Sequence, residues 1–65
     1  MLAKEIKAYL VSKGIKQTWL AKELGIPVTT LSGIINGRAE LKADMFIHIC
    51  RILNESPDVF AKGRE

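Results

Sequence analysis

Residues 17–37, QTWLAKELGIPVTTLSGIING, decide the fold of this chain. Leu20, Ala21 and Leu24 recur at i, i+1 and i+4, one face of a helix. Gly25 follows, and glycine takes the positive φ that a helix stop wants without a steric cost. After Ile26, Pro27 presets φ for the opening of a new helix. Leu31, Ile34 and Ile35 repeat at i, i+3 and i+4, so they form the buried face of that second helix. Asn36-Gly37 ends it, because both residues tolerate the left-handed region. Two helices joined so tightly cannot lie antiparallel and must cross steeply.

Such an elbow is a helix-turn-helix. Gln17, Leu20-Ala21, Gly25, Ile26, Thr30-Leu31, Ile34 and Asn36-Gly37 together resemble the phage Cro/repressor-type helix-turn-helix family of bacterial regulators. The resemblance runs from about Leu2 to Phe60, nearly the whole chain. It implies an all-α fold, a compact five-helix bundle of the lambda repressor-like kind. It also implies a partner, double-stranded DNA.

Working outward, Leu2 to Lys13 reads as a first helix, with Leu2, Ile6 and Leu10 at i, i+4 and i+8 and Tyr9 alongside. Gly14 is its expected stop, and Ile15 is placed to fold back onto it. Lys16 stands where the family commonly has Ser, Thr or Asn as N-cap. Lysine cannot accept a backbone N–H and its charge opposes the helix dipole, at a cost of about 1 kcal/mol. Either a DNA phosphate offsets that cost by binding the free N–H groups and Lys16 together, or the helix simply starts untidily. Leu10 and Ile35 replace an Arg–Glu ion pair that many family members bury between first and third helices. Packed apolar residues are often as stable as such a pair, so this departure bears on stability rather than function.

Beyond Gly37, Arg38-Ala39-Glu40 is a polar connection, and Leu41 leads into a fourth helix from about Lys42 to Leu53. Phe46, Ile49, Cys50 and Leu53 mark its core face. Met45 and Ile52 form a second stripe about 100° away, for packing on the last helix or on a second subunit. Asn54 is placed to stop this helix in the left-handed conformation. Ser56-Pro57-Asp58 has the order of a helix start, and Val59 and Phe60 are expected to dock a short fifth helix. From Ala61 to Glu65 the pattern is that of a frayed tail. Residues 1–65 therefore read as one domain.

At 65 residues the chain buries only roughly 60% of its unfolded surface, so its core is small. An apolar share of 48% argues against disorder. Cys50 is the sole cysteine and has no internal partner, which suits a reducing cytoplasm. Lys4, Glu5 and Lys7 interrupt any secretory leader, and no apolar run reaches the roughly 18 residues of a membrane span. The expected location is cytoplasmic, at the nucleoid. The net charge is +3, and the excess lies between Lys13 and Lys42, where five cations face two anions. That patch is either a polyanion surface or ordinary solvated lysine.

The chemistry of an enzyme is missing. His48 and Cys50 are two apart on a helix and point in different directions, and zinc needs about four ligands. No catalytic set, metal site, cofactor site or small-molecule pocket is expected. Cys50 reads as a core residue, His48 as a surface one, and Trp19 as a half-buried edge of the core.

The resemblance puts the third helix in the major groove by its N-terminal part. Its outward positions are then Val28, Thr29, Ser32 and Gly33. Val28 and the Thr29 methyl suit thymine methyls, and the Thr29 and Ser32 hydroxyls can hydrogen-bond to several bases. None of the four is Arg, Lys, Gln or Asn, so the strong bidentate contacts are absent. Gly33 is placed either for close approach to the groove or for packing. Backbone contacts are expected from Lys16, Gln17, Asn36, Arg38 and Lys42, with Thr30 at the backbone or the core edge. A domain this small reads few base pairs, so a homodimer on a palindromic operator is expected. Met45, Ile52, Pro57 and Phe60 are its candidate interface. The leading function is a transcriptional repressor. The alternatives are the antitoxin of a toxin–antitoxin pair, and a protein-interaction module that kept the fold but lost DNA reading.

Overall fold

In a computed structural model the described residues, 2–61, form five helices and no strand. They are α1 (Leu2–Lys13), α2 (Gln17–Leu24), α3 (Val28–Ile35), α4 (Ala43–Leu53) and α5 (Asp58–Ala61). The tail expected from Ala61 lies outside the described residues, save for Ala61 itself. None of the described helices is long and apolar enough to cross a membrane.

Each helix ends where the backbone can turn over. Gly14 has φ 68°, and the Ile15 N–H donates to the Leu10 carbonyl at 2.9 Å. At Gly25, φ is 75°, and the Ile26 N–H donates to the Ala21 carbonyl at 3.1 Å. Asn54, φ 58°, repeats the device, with Glu55 N–H donating to the Cys50 carbonyl at 2.9 Å. In all three the left-handed residue lets the chain satisfy carbonyls that the helix end leaves open. The three residues Gly25–Pro27 thus set the elbow between α2 and α3.

The apolar stripes of all five helices meet in one cluster. Ile6 and Leu10 come from α1, Leu20, Ala21 and Leu24 from α2, Leu31 and Ile35 from α3, Ile49 and Cys50 from α4, and Phe60 from α5. α2 packs on α3 and α4, and α1 packs on α3 and α5. Leu10 and Ile35 are both buried, so α1 and α3 meet through aliphatic contact where the family often has charge. Burial pushes the Cys50 thiol pKa up, which keeps it protonated and chemically quiet.

Two assignments at the C-terminal end are corrected. Phe60 is no surface residue: it is 1% exposed, with its ring edge-on to Tyr9 at 5.4 Å and to Phe46 at 5.8 Å. Such aromatic pairs add to area burial, so the ring closes the core of a single chain. Val59, expected to dock beside it, is exposed instead. Phe60, not Val59, is the residue of α5 that turns into the cluster. Met45 and Ile52, the second stripe of α4, are partly buried against the same cluster. Tyr9 also donates its hydroxyl to Glu55 Oε2 at 2.7 Å, fastening α1 to the turn before α5.

Candidate nucleic-acid interface

The elbow leaves the start of α3 uncovered. Pro27 is its N-cap residue, and its carbonyl accepts from the Thr30 and Leu31 N–H groups at 3.0 and 3.2 Å. With Leu31, Ile34 and Ile35 turned into the core, Val28, Thr29 and Thr30 are exposed. Val28 is 38% exposed, which for an apolar residue leaves methyl groups in water. Thr30 stands on the surface rather than at the core edge. Ser32 is half-buried.

Gly33 does not face outward as the sequence suggested. It is half-buried, and a Cβ placed on it would meet the Ala39 Cβ at 3.9 Å. The chain after α3 folds back over it. Arg38 and Ala39 N–H groups both donate to the Gly33 carbonyl, at 2.8 and 3.0 Å. Gly37, φ 81°, makes that reversal. The loop so formed holds the exposed Arg38 beside the C-terminal end of α3.

The start of α2 lies at the other side of the elbow. Lys16 is its N-cap residue, extended and without a side-chain cap bond. Lys42 begins α4 in the same way. α2 therefore opens with free N–H groups beside a lysine, an arrangement that favours an anion, whereas at α4 the Met45 N–H donates to Asp44 Oδ1 at 2.8 Å and a carboxylate already stands at the helix start. Lys16 and Lys42 are exposed and Gln17 is half-buried. Trp19, nearby on α2 and expected as a half-buried edge of the core, is exposed instead, at 46%.

Asn36 is less free than its sequence position implied. Its Nδ2 donates to the Ser32 carbonyl at 2.8 Å and to Ser32 Oγ at 3.1 Å. Its Oδ1 accepts from Lys7 Nζ at 2.8 Å. Lys7, from α1, thus joins the end of the exposed helix. In the sequence Lys7 merely flanks the buried stripe of α1 beside Ile6. Which flank meets α3 depends on how the helices pack.

Other chemistry finds no assembly. His48 is exposed and Cys50 buried. Among the described residues no three His, Cys, Asp or Glu side chains gather where they could hold a metal.

The sequence model of a family described as helix-turn-helix matches residues 6–60, from the first buried residue of α1 to Phe60. Neither the curated proteins nor the solved structures contain a match.

Proposed function

The chain belongs to the Cro/C1-type helix-turn-helix family of DNA-binding transcriptional regulators, and we propose that it is a repressor occupying a palindromic operator as a homodimer. That family is regulatory rather than enzymatic, and its ligand is double-stranded DNA. The observation that carries the reading is the bare N-terminal end of α3, with Val28, Thr29 and Thr30 exposed while Leu31, Ile34 and Ile35 are buried.

In this reading α3 enters the major groove by that end. Val28 and the Thr29 methyl meet thymine methyl groups, and the Thr29 hydroxyl donates to or accepts from a base edge. Ser32 is more restricted. Asn36 already donates to its Oγ, which occupies one of its two lone pairs and leaves the other and the proton. Ser32 can give that proton to N7 or O6 of guanine, N7 of adenine or O4 of thymine, or use its second lone pair to accept from N6 of adenine or N4 of cytosine. Lys16, Gln17, Arg38 and Lys42 grip the backbone and fix register, with Thr30 at the groove edge. Arg, Lys, Gln and Asn are absent from the reading edge, so discrimination leans on methyl contacts, on DNA shape, and on two half-sites. Occupancy of a promoter at the nucleoid suffices for repression.

Dimerisation supports this reading only if it uses surface residues. Pro57 remains exposed, Met45 and Ile52 are partly so, and the exposed Ile47 and Val59 join them in place of Phe60. The weak reading edge also favours a second reading, a protein-interaction module. Selection from random duplexes followed by gel shift separates the two. A repressor enriches a palindrome whose half-sites lie about one helical turn apart. An interaction module enriches none.

A further inference from the structure

We propose that Lys7, on α1, is a phosphate contact of the DNA complex, and that Asn36 is a positioning residue that holds it there. The inference rests on the DNA-binding reading above and deepens it.

The argument is a count of donors. An Asn side chain has two N–H donors and one carbonyl oxygen. Both Asn36 donors are used, on the Ser32 carbonyl and on Ser32 Oγ. What Asn36 offers outward is oxygen, and a phosphate oxygen repels it. Asn36 in this arrangement cannot be the phosphate ligand that its place in the sequence suggested. Lys7 can. Its ammonium has three donors, and Asn36 Oδ1 takes one at 2.8 Å. Two remain, on an exposed side chain.

Position supports this. α3 has eight residues, about 12 Å of helix, close to the roughly 12 Å width of the major groove. A helix entering by its first turn therefore brings its last turn out near a phosphate rail. That end carries the negative pole of the helix, which by itself disfavours phosphate. The fold sets cations against it. A groove there is lined by Ala3, Lys4, Lys7, Ile35, Asn36 and Gly37, and Arg38 follows in the loop. Asn36 fixes Lys7 in the geometry that reverses the sign.

The test is the salt dependence of binding to a short labelled duplex of arbitrary sequence, read by fluorescence anisotropy between about 50 and 200 mM salt. Losing one phosphate contact lowers the slope of log K against log salt by about 0.9. Lys7→Gln is expected to lower it by that amount and Lys7→Arg to keep it. Asn36→Ala is expected to weaken binding when Lys7 is present and to have no effect in the Lys7→Gln background. A wild-type slope that Lys7→Gln leaves unchanged overturns the Lys7 assignment while the regulator reading stands. An equal effect of Asn36→Ala in both backgrounds overturns its positioning role. No salt-dependent binding by the wild type overturns the regulator reading and this inference with it. Lys7 is exposed, and thermal melting of each variant confirms that it is folded.

Discussion

Replacing Gly33 by Ala separates packing from DNA reading at one atom. Gly33 lies inside α3 with a helical backbone, and an added Cβ would stand 3.9 Å from Ala39 Cβ, an ordinary van der Waals contact. No strain opposes the change. Glycine within a helix costs about 1 kcal/mol relative to alanine, largely through the freedom it holds when unfolded. Gly33→Ala should therefore stabilise by up to about 1 kcal/mol. In a domain this size that raises Tm by roughly 4–8 °C. Gly37→Ala is the control of opposite sign. Nothing lies within 4 Å of its Cβ position, but φ is +81°, so alanine there loses about 1–2 kcal/mol to backbone strain. Thermal melts by circular dichroism read both. Because Gly33 faces the loop, DNA affinity should not change with Gly33→Ala. A lowered Tm would refute the packing geometry. A raised Tm with affinity down about tenfold, or 1.4 kcal/mol, would show that the helix needs a bare backbone against the groove.

Phe60→Ala should cost about 3–5 kcal/mol, as loss of a buried aromatic does, and leave little folded protein at any concentration. A loss that rising protein concentration rescues would return Phe60 to a dimer interface. Gln17→Ala with Arg38→Ala should weaken binding to every duplex and flatten the salt slope, whereas Val28→Ala with Thr29→Ala should change which sequences are preferred; competition gel shifts read both. The Glu55 carboxylate that takes its hydrogen bond holds the Tyr9 phenol above its usual pKa of 10.0, with burial and the negative charge adding to the effect. A raised folded pKa means stability fully present below pH 10.0 and lost as pH climbs through the folded value. Denaturant melts should thus show wild type losing stability above pH 10.0 and Tyr9→Phe losing less, having given up about 1 kcal/mol at neutral pH.

What could be read without coordinates was local. Gly14, Gly25 and Asn54 announce helix ends because few residues accept a positive φ. Leu20, Ala21 and Leu24, and then Leu31, Ile34 and Ile35, name their own buried faces because helical period and burial coincide. Those two facts fix which edge of α3 is free, and so Val28 and Thr29. What could not be read was rotation and register between helices. Val59 and Phe60 are neighbours on a helix too short to show a period, and only contact with Tyr9 and Phe46 decides which turns in. Gly33 depends on the path of a loop that begins three residues later. Lys7 and Asn36 are 29 apart in sequence, and nothing in either segment signals their bond.

An NMR titration of isotope-labelled protein with duplex DNA tests the central claim most directly. The bare edge of α3 should be the contact surface. The largest backbone shifts should fall at Val28, Thr29, Thr30 and Ser32, with Lys16 and Gln17 next. Shifts concentrated on α4 while Val28 and Thr29 stay still would contradict it.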